Sequence, residues 1–509
     1  MPTAPSRRAV LGGALATAAG AIVARGAEAA PLPGRAAASD RATPADPVLH
    51  AVRRLSYGAT PALVAQVRQM GVTAWVAGQL AAPTSPDTQT ELLVATFPTL
   101  RLPTPAQAQL AAQGVRNPLT ELRTAAVVRA AFGERQLEEL LVEVWTNHFS
   151  IQADLDKVGV LKVADDHDVI RPHALGTFRD LLQASAQSPA MLRYLDNAVS
   201  RGGAPNENYG RELLELHTVG RRAGYTQRDV RNAALVFTGW TTDPTTYAFR
   251  YEPTWHHVGP VSVMGWHSAN ADPAAGVAVG QSLLDYLATH PATARRVAGK
   301  LVRRLVADAV PASLVTSTAG VLSSSGMAIA PAVAHIVASP EFADSAGGKV
   351  KRPFDWFVAS VRALGLTFDR TAGPLGNSGV AEALQRLGQL PYSWPAPDGF
   401  PDVAGYWSST ASMLSRWDVA QALVAGGVGG LSTFDPAAFL GTPVPSTAGA
   451  LVDLVVTLLT GARPRPGLRG PLLRHLGRPA GAALTPAQAT AATPQLAALV
   501  LSSPDMQVR

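Results

Sequence analysis

One twelve-residue stretch concentrates the side chains that do chemistry. Asn206-Glu207-Asn208-Tyr209-Gly210-Arg211-Glu212-Leu213-Leu214-Glu215-Leu216-His217 holds three glutamates, two asparagines, an arginine, a tyrosine and a histidine, in a chain only 16% charged. Its leucine content predicts a helix, and Asn208, Arg211, Glu212 and Glu215 then follow i, i+3, i+4, i+7 spacing on one face. Glu212 and Glu215, one turn apart, suit acid–base work or metal ligation, because adjacent carboxylates push each other's pKa apart. Arg211 suits an anionic substrate group, or else an i, i+4 ion pair with Glu215 that only stabilises the helix. Asn208 and Tyr209 are candidate substrate contacts. His217 lies two residues from Glu215 and joins the apolar stripe with Leu213, which predicts a structural role. Its spacing does not match the Glu-x-x-His of di-iron helices.

Other clusters invite the same weighing. His148 sits on the apolar side of a helix beside Trp145 and Phe149, where a satisfied core histidine is the ordinary expectation. With Asn147 and with Glu143 five residues earlier, it is also a candidate to feed the same cavity as Glu212. Asp165-Asp166-His167-Asp168 reads either as a cation site or as a solvated helix entry. His256-His257, with His267, Trp255 and Trp266, reads as a sugar or metal site, although tandem residues on a strand face opposite ways. Trp240 and Asp398 are further candidate substrate contacts. Asp398-Gly399, between prolines, is first of all a turn, and a functional loop only if it folds over the helical cavity.

Helices must position most of these groups. Thr60-Pro61 pairs an N-cap with proline at the first helical position. Glu134 to Phe149 is a long amphipathic pattern, and Phe178 to Leu195 gives one or two more helices. Thr226-Gln227-Arg228-Asp229 is a capping box opening a helix through Phe237. His290-Pro291 starts a helix through Leu305, and residues 351–364 and 409–423 add others. The exception is 241–263, where Tyr247, Phe249 and Tyr251 alternate in an aromatic stretch that predicts a small β excursion. Residues 371–408, rich in Gly, Pro and Ser, predict a long loop. Ile336 to Phe342 and Leu499 to Met506 echo each other as apolar helix ends followed by Ser-Pro-acid-apolar.

Composition narrows the chemistry. The 509-residue chain has no cysteine, so disulfides, iron–sulfur clusters and thiolate-bound metals are excluded. A divalent metal, if used, is held by His, Asp, Glu or backbone oxygens. There is no haem or nucleotide signature, no Gly-x-Ser-x-Gly elbow, no His-Glu-x-x-His and no P-loop. No Lys/Arg block carries interleaved aromatics, so nucleic acid is not an expected partner. Ser6-Arg7-Arg8-Ala9-Val10-Leu11 matches the twin-arginine export pattern. It is followed by an Ala/Gly-rich apolar run too short for a span, which needs about 20 residues. The expected organisation is a signal peptide over 1–29 with cleavage near Ala27-Glu28-Ala29, a flexible tether over 30–46, and one domain over 47–509. Without residues 1–29, which carry Arg7, Arg8, Arg25 and Glu28, the formal charge of +6 falls to about +4. No later segment is apolar for long enough to span, since Asp453 interrupts the best of them.

Several motifs in order carry a family resemblance. They are His50 to Thr60, Trp145-Thr146-Asn147-His148-Phe149, Ile170 to Gly176, Pro189 to Asn197, Asn206 to Gly220, Gly224 to Gln227, Thr238-Gly239-Trp240, His290 to Ala294 and Pro397-Asp398-Gly399-Phe400-Pro401-Asp402. Over about residues 47–509 the chain resembles the bacterial family called domain of unknown function 1800. The resemblance implies export and, as a partner, a co-exported sulfatase-like protein; it implies no activity. One departure stands out: Trp255-His256-His257-Val258-Gly259 occupies the place of an expected His-Asp-Gly-type segment, so the acid of that motif is missing.

The sequence therefore predicts a mainly α, multi-helix single domain with a small β-hairpin excursion. The functional expectation is an exported hydrolase acting on an extracellular or envelope substrate, with Glu212, Glu215, Arg211 and His148 at its centre. The alternative is a non-catalytic binding or assembly partner of the sulfatase-like protein.

Overall fold

The computed structural model describes residues 46–81, 87–155, 158–369 and 378–509. The expected signal segment, the tether up to residue 45 and the stretch 370–377 lie outside the described residues. From Asp46 to Arg509 the chain forms one unit built almost wholly of helices. The local signals act as their chemistry dictates. The Thr60 hydroxyl accepts from Leu63 N ahead of the Pro61–Met70 helix. Thr226 and Asp229 close both arms of the capping box that opens Gln227–Val236. The amphipathic pattern after residue 134 is the Gln136–His148 helix, with Leu137, Leu140, Leu141, Val144 and Trp145 buried. Phe178 to Leu195 divides at Ser188-Pro189 into Phe178–Gln187 and Pro189–Tyr194. The Ser-Pro echo is structural: Ser339 and Ser503 each precede a one-turn helix, Pro340–Ala343 and Pro504–Gln507.

The β excursion is two antiparallel hairpins rather than one. Strands β1 (Trp240–Thr242) and β2 (Phe249–Tyr251) pair Trp240 with Tyr251. Strands β3 (Val261–Val263) and β4 (Trp266–Ser268) pair Val263 with Trp266. The long loop expected over 371–408 is shorter than composition suggests. Ser378–Arg386 is a helix, because Val380, Ala383 and Leu384 recur at helical spacing and are buried. Irregular backbone then runs from Leu387 to Val403.

A continuous apolar core joins these helices, and three tryptophans are wholly enclosed in it. Each finds a backbone acceptor for its indole N–H: Trp145 on Ala174 O, Trp240 on Gly276 O and Trp356 on Leu501 O. Among the described residues, no helix is long and apolar enough to cross a membrane.

Candidate functional site

The Asn206–His217 run is helical, but its second half is wound differently from the first. Asn206 caps an α-helix over Glu207–Glu212, and Leu213–His217 continues as a π turn closed by Thr218 N on Leu213 O at 2.9 Å. The wider turn breaks the i, i+4 register on which the expected polar face depended. Arg211 and Glu215 consequently do not pair. Arg211 instead donates to Glu207 at 3.2 Å and to Gln227 at 3.1 Å. The Glu215 carboxylate accepts from the Arg221 guanidinium and from the Tyr225 hydroxyl. Gly210 holds this helix against Gln227–Val236, since a Cβ there would lie 2.8 Å from Ala234 N.

Glu212 is left alone. Its half-buried carboxyl has no hydrogen-bond or ion-pair partner among the described residues. Burial first, and then the negative charges of Glu215 and Asp398, push its pKa above the ordinary glutamate value. Asp398 comes from the Pro397–Asp402 loop, which is locked onto the Gln136–His148 helix. The Asn147 amide donates to Phe400 O at 2.8 Å, and its oxygen accepts from Phe400 N at 2.6 Å. Gly399 lies beneath that clamp at φ +78°, where a Cβ would stand 2.1 Å from Asn147 O. Trp394 steadies Asp398 through its indole N–H at 2.8 Å. Burial, with Glu212 and Asp398 nearby, raises the Tyr194 hydroxyl to about 12.

Behind the loop opens a cleft of about 260 Å³, lined by Glu143, Asn147, Lys300, Arg303 and Asp398 among others. Lys300, on the Pro291–Leu305 helix, is its most unusual group. Its half-buried ammonium pairs with no carboxylate among the described residues. Burial, reinforced by Arg296 and opposed by Asp398, lowers its pKa to about 7.

His148 and His217 stand together beside it. His148 Nε2 meets His217 O at 3.0 Å and must carry the proton, since a carbonyl only accepts; Nδ1 is then a bare, buried acceptor without a partner. His217 Nε2 is also buried and unpartnered. Burial first, then the Lys300 charge, holds both rings far below the usual histidine range, His217 at about 3. Both imidazoles are therefore neutral at physiological pH and enclosed behind the cleft.

The floor of the cleft is a buried ionic lattice. Asp355 takes two bonds from Arg304, at 2.8 and 2.7 Å, and further contacts from Arg352 and Arg509. Glu143 accepts from Arg352, and Lys349 bridges Asp308 at 2.7 Å and Asp402 at 3.0 Å. Burial alone would raise Asp355, but the Arg304 and Arg352 guanidiniums hold it well below the carboxylate range.

The remaining candidates take structural places. Tyr209 and Trp240 are 1% and 0% exposed, and both pack edge-on against Phe237. The half-buried Asn208 caps nothing with its side chain, while its N–H is held by Asn206 Oδ1. Asp165 and Asp166 are not a solvated entry: they are buried against Lys162 and Ser188, and against Arg171, respectively. His256 lies outside the strands, with its ring held between Thr238 O and Asn270 Oδ1. Among the described residues, no three His, Asp or Glu side chains are grouped as a metal ion would require.

A mainly helical body with a loop-covered, charge-lined cleft is the class of protein that fold and site define. The family model described as protein of unknown function (DUF1800) matches residues 50–508, and the chain belongs to that family. No curated protein and no solved structure matches the chain.

Proposed function

We propose that the protein is an exported hydrolase whose acid–base pair is Glu212 and Asp398, the latter at the cleft that Lys300 lines. One observation carries this reading. An unpaired carboxyl with a raised pKa and an unpaired amine with a lowered one both feel the charge of Asp398. Oppositely displaced titrations about one shared carboxylate are what acid–base catalysis near neutral pH needs. Glu212 holds its proton longer than an ordinary glutamate and donates it to a leaving group. Asp398, set by Trp394 and by the Asn147 clamp on the next residues but one, accepts the proton of the attacking water. The enclosed His148 supports Lys300 and does not touch substrate. Arg211 and Glu215, held by Glu207 and Arg221, position the helix. The twin-arginine pattern supports export, which places the substrate in the envelope or outside the cell.

The test is a panel of nitrophenyl acetates, phosphates, sulfates and glycosides, run with the mature protein, Glu212→Gln and Asp398→Asn. Turnover of at least one class is expected, falling by 100-fold or more in each variant, the scale on which a general acid or base acts. Turnover that survives both substitutions, or none with any class, overturns the reading.

A further inference from the structure

Beyond the proton donor Glu212 and the acceptor Asp398, the cleft carries a row of cations to which Lys300 belongs. Arg296, Lys300 and Arg303 follow i, i+4, i+7 spacing along one face of the Pro291–Leu305 helix. No carboxylate oxygen lies within 4 Å of their charged nitrogens among the described residues. Other buried cations are all held: Arg304, Arg352, Lys349 and Lys162 by carboxylates, and Arg54, Arg416 and Lys351 by carbonyl or amide oxygens. Arg296 is occupied with Leu216 O at 2.9 Å. Arg303 uses only its Nε, on Asp308 O at 3.4 Å, which leaves its terminal nitrogens unbonded. Lys300 and Arg303 both line the cleft.

We infer that Lys300 and Arg303 form a subsite for an oxyanion, a carboxylate, sulfate or phosphate group borne by the substrate. The fork of Arg303 and the point charge of Lys300 are the two complementary ways in which proteins hold such groups. Arg304 and Arg352 line the same cleft but are neutralised by Asp355 and Glu143, which leaves Lys300 and Arg303 as its cations without a carboxylate partner among the described residues. The inference rests on the proposed hydrolytic site and gives its substrate a charge; it shares Lys300 with that site, adds Arg303, and is read by anion binding rather than by turnover.

Binding is tied to pH through Lys300. The charged groups around it are Arg296, Arg303 and Arg304 on its own helix, Asp398 and Asp402 on the loop, and Glu143 and Arg352 across the cleft; His148 and His217 are neutral across the range tested. An amine with a pKa near 7 is mostly protonated at pH 6 and mostly neutral at pH 8, so affinity for a non-titrating anion falls about tenfold between them.

Calorimetric titration with sulfate, and separately with acetate, tests this on the mature protein. Saturable binding is expected, tighter at pH 6 than at pH 8. Lys300→Met and Arg303→Ala should each weaken it at least tenfold, while Arg295→Ala, on the exposed face, leaves it unchanged. Lys300→Arg should restore affinity and remove the pH dependence. No saturable binding, or equal weakening by Arg295→Ala, overturns the inference. Glu212→Gln should abolish turnover yet keep sulfate affinity, so the two proposals fail separately.

Discussion

Replacing Lys300 with methionine is expected to make the protein more stable. A free lysine titrates near 10.5, whereas Lys300 is held at about 7 by burial and by Arg296. At about 1.36 kcal/mol per pH unit, that displacement is a charging penalty of up to about 5 kcal/mol. The side chain is half-buried and faces an open cleft, so solvent screening reduces the realised figure to about 2 kcal/mol. Methionine keeps the length of the stem without the charge. Unfolding entropy of about 2.1 cal/mol/K per residue converts this, for a body of this size, to a rise in Tm of roughly 2 °C. The pH dependence follows from the direction of the displacement. The folded protein binds its proton less readily than the unfolded chain, so the penalty is complete below about pH 7 and fades as pH rises toward 10.5. Differential scanning calorimetry of both proteins at pH 6 and pH 10 measures it. The gain should be clear at pH 6 and nearly gone at pH 10. A lower Tm at pH 6, or a gain that does not shrink by pH 10, would refute the reasoning. A residue that weakens the fold while facing a cleft is the signature of a group kept for function.

Asn147→Ala removes both bonds to Phe400 and should cost about 2 kcal/mol, with hydrogen exchange accelerating over residues 397–402 while the Gln136–His148 helix stays protected. Gly399→Ala forces a side chain to φ +78° against the Asn147 carbonyl; about 1–2 kcal/mol of conformational cost and displacement of Asp398 should appear as lost turnover with the global Tm little changed. Asp355→Asn strips the shared anion from Arg304, Arg352 and Arg509 and should destabilise by about 3–5 kcal/mol in urea titrations. Because the folded pKa of Asp355 is depressed, its contribution is present above the ordinary aspartate value of 3.8 and lost as pH falls below it. The acid limb of the wild-type stability curve should therefore be steeper than that of Asp355→Asn.

Much of this was readable from residue types alone. Capping at Thr60 and Thr226, the amphipathic pattern before Phe149 and the aromatic alternation near Tyr247 act over a few residues, and local chemistry decides them. Glu212 and Asp398 also stood out, because polar groups are scarce in this chain. What spacing did not reveal was the π turn after Glu212, which sends Glu215 to Arg221 and Arg211 to Glu207. Leu213 and Leu214 are buried within that turn, and the residue pattern is the same for either winding. The helix hidden in the Gly/Pro-rich 371–408 segment was masked by averaging its apolar residues with their flanks. Lys300 was passed over because a basic helix face ordinarily reads as solvated. One signal was available: the chain has only five lysines, and Lys162, Lys349 and Lys351 are buried. In a protein that uses arginine for its surface charge, a lysine marks a special environment. The Asn147 clamp on Phe400 joins residues 253 positions apart, and no spacing rule reaches that far.

The central claim is that Glu212 holds a proton beyond the ordinary glutamate range, because burial first, and then the charges of Glu215 and Asp398, disfavour its ionised form. Carbon-13 NMR of glutamate-labelled protein, with the Glu212 carboxyl assigned by its loss in Glu212→Gln, follows that titration directly. The Glu212 resonance should titrate above the exposed glutamates and shift downward in Asp398→Asn. A titration at or below the ordinary value, or one that Asp398→Asn leaves unmoved, would contradict the acid–base site.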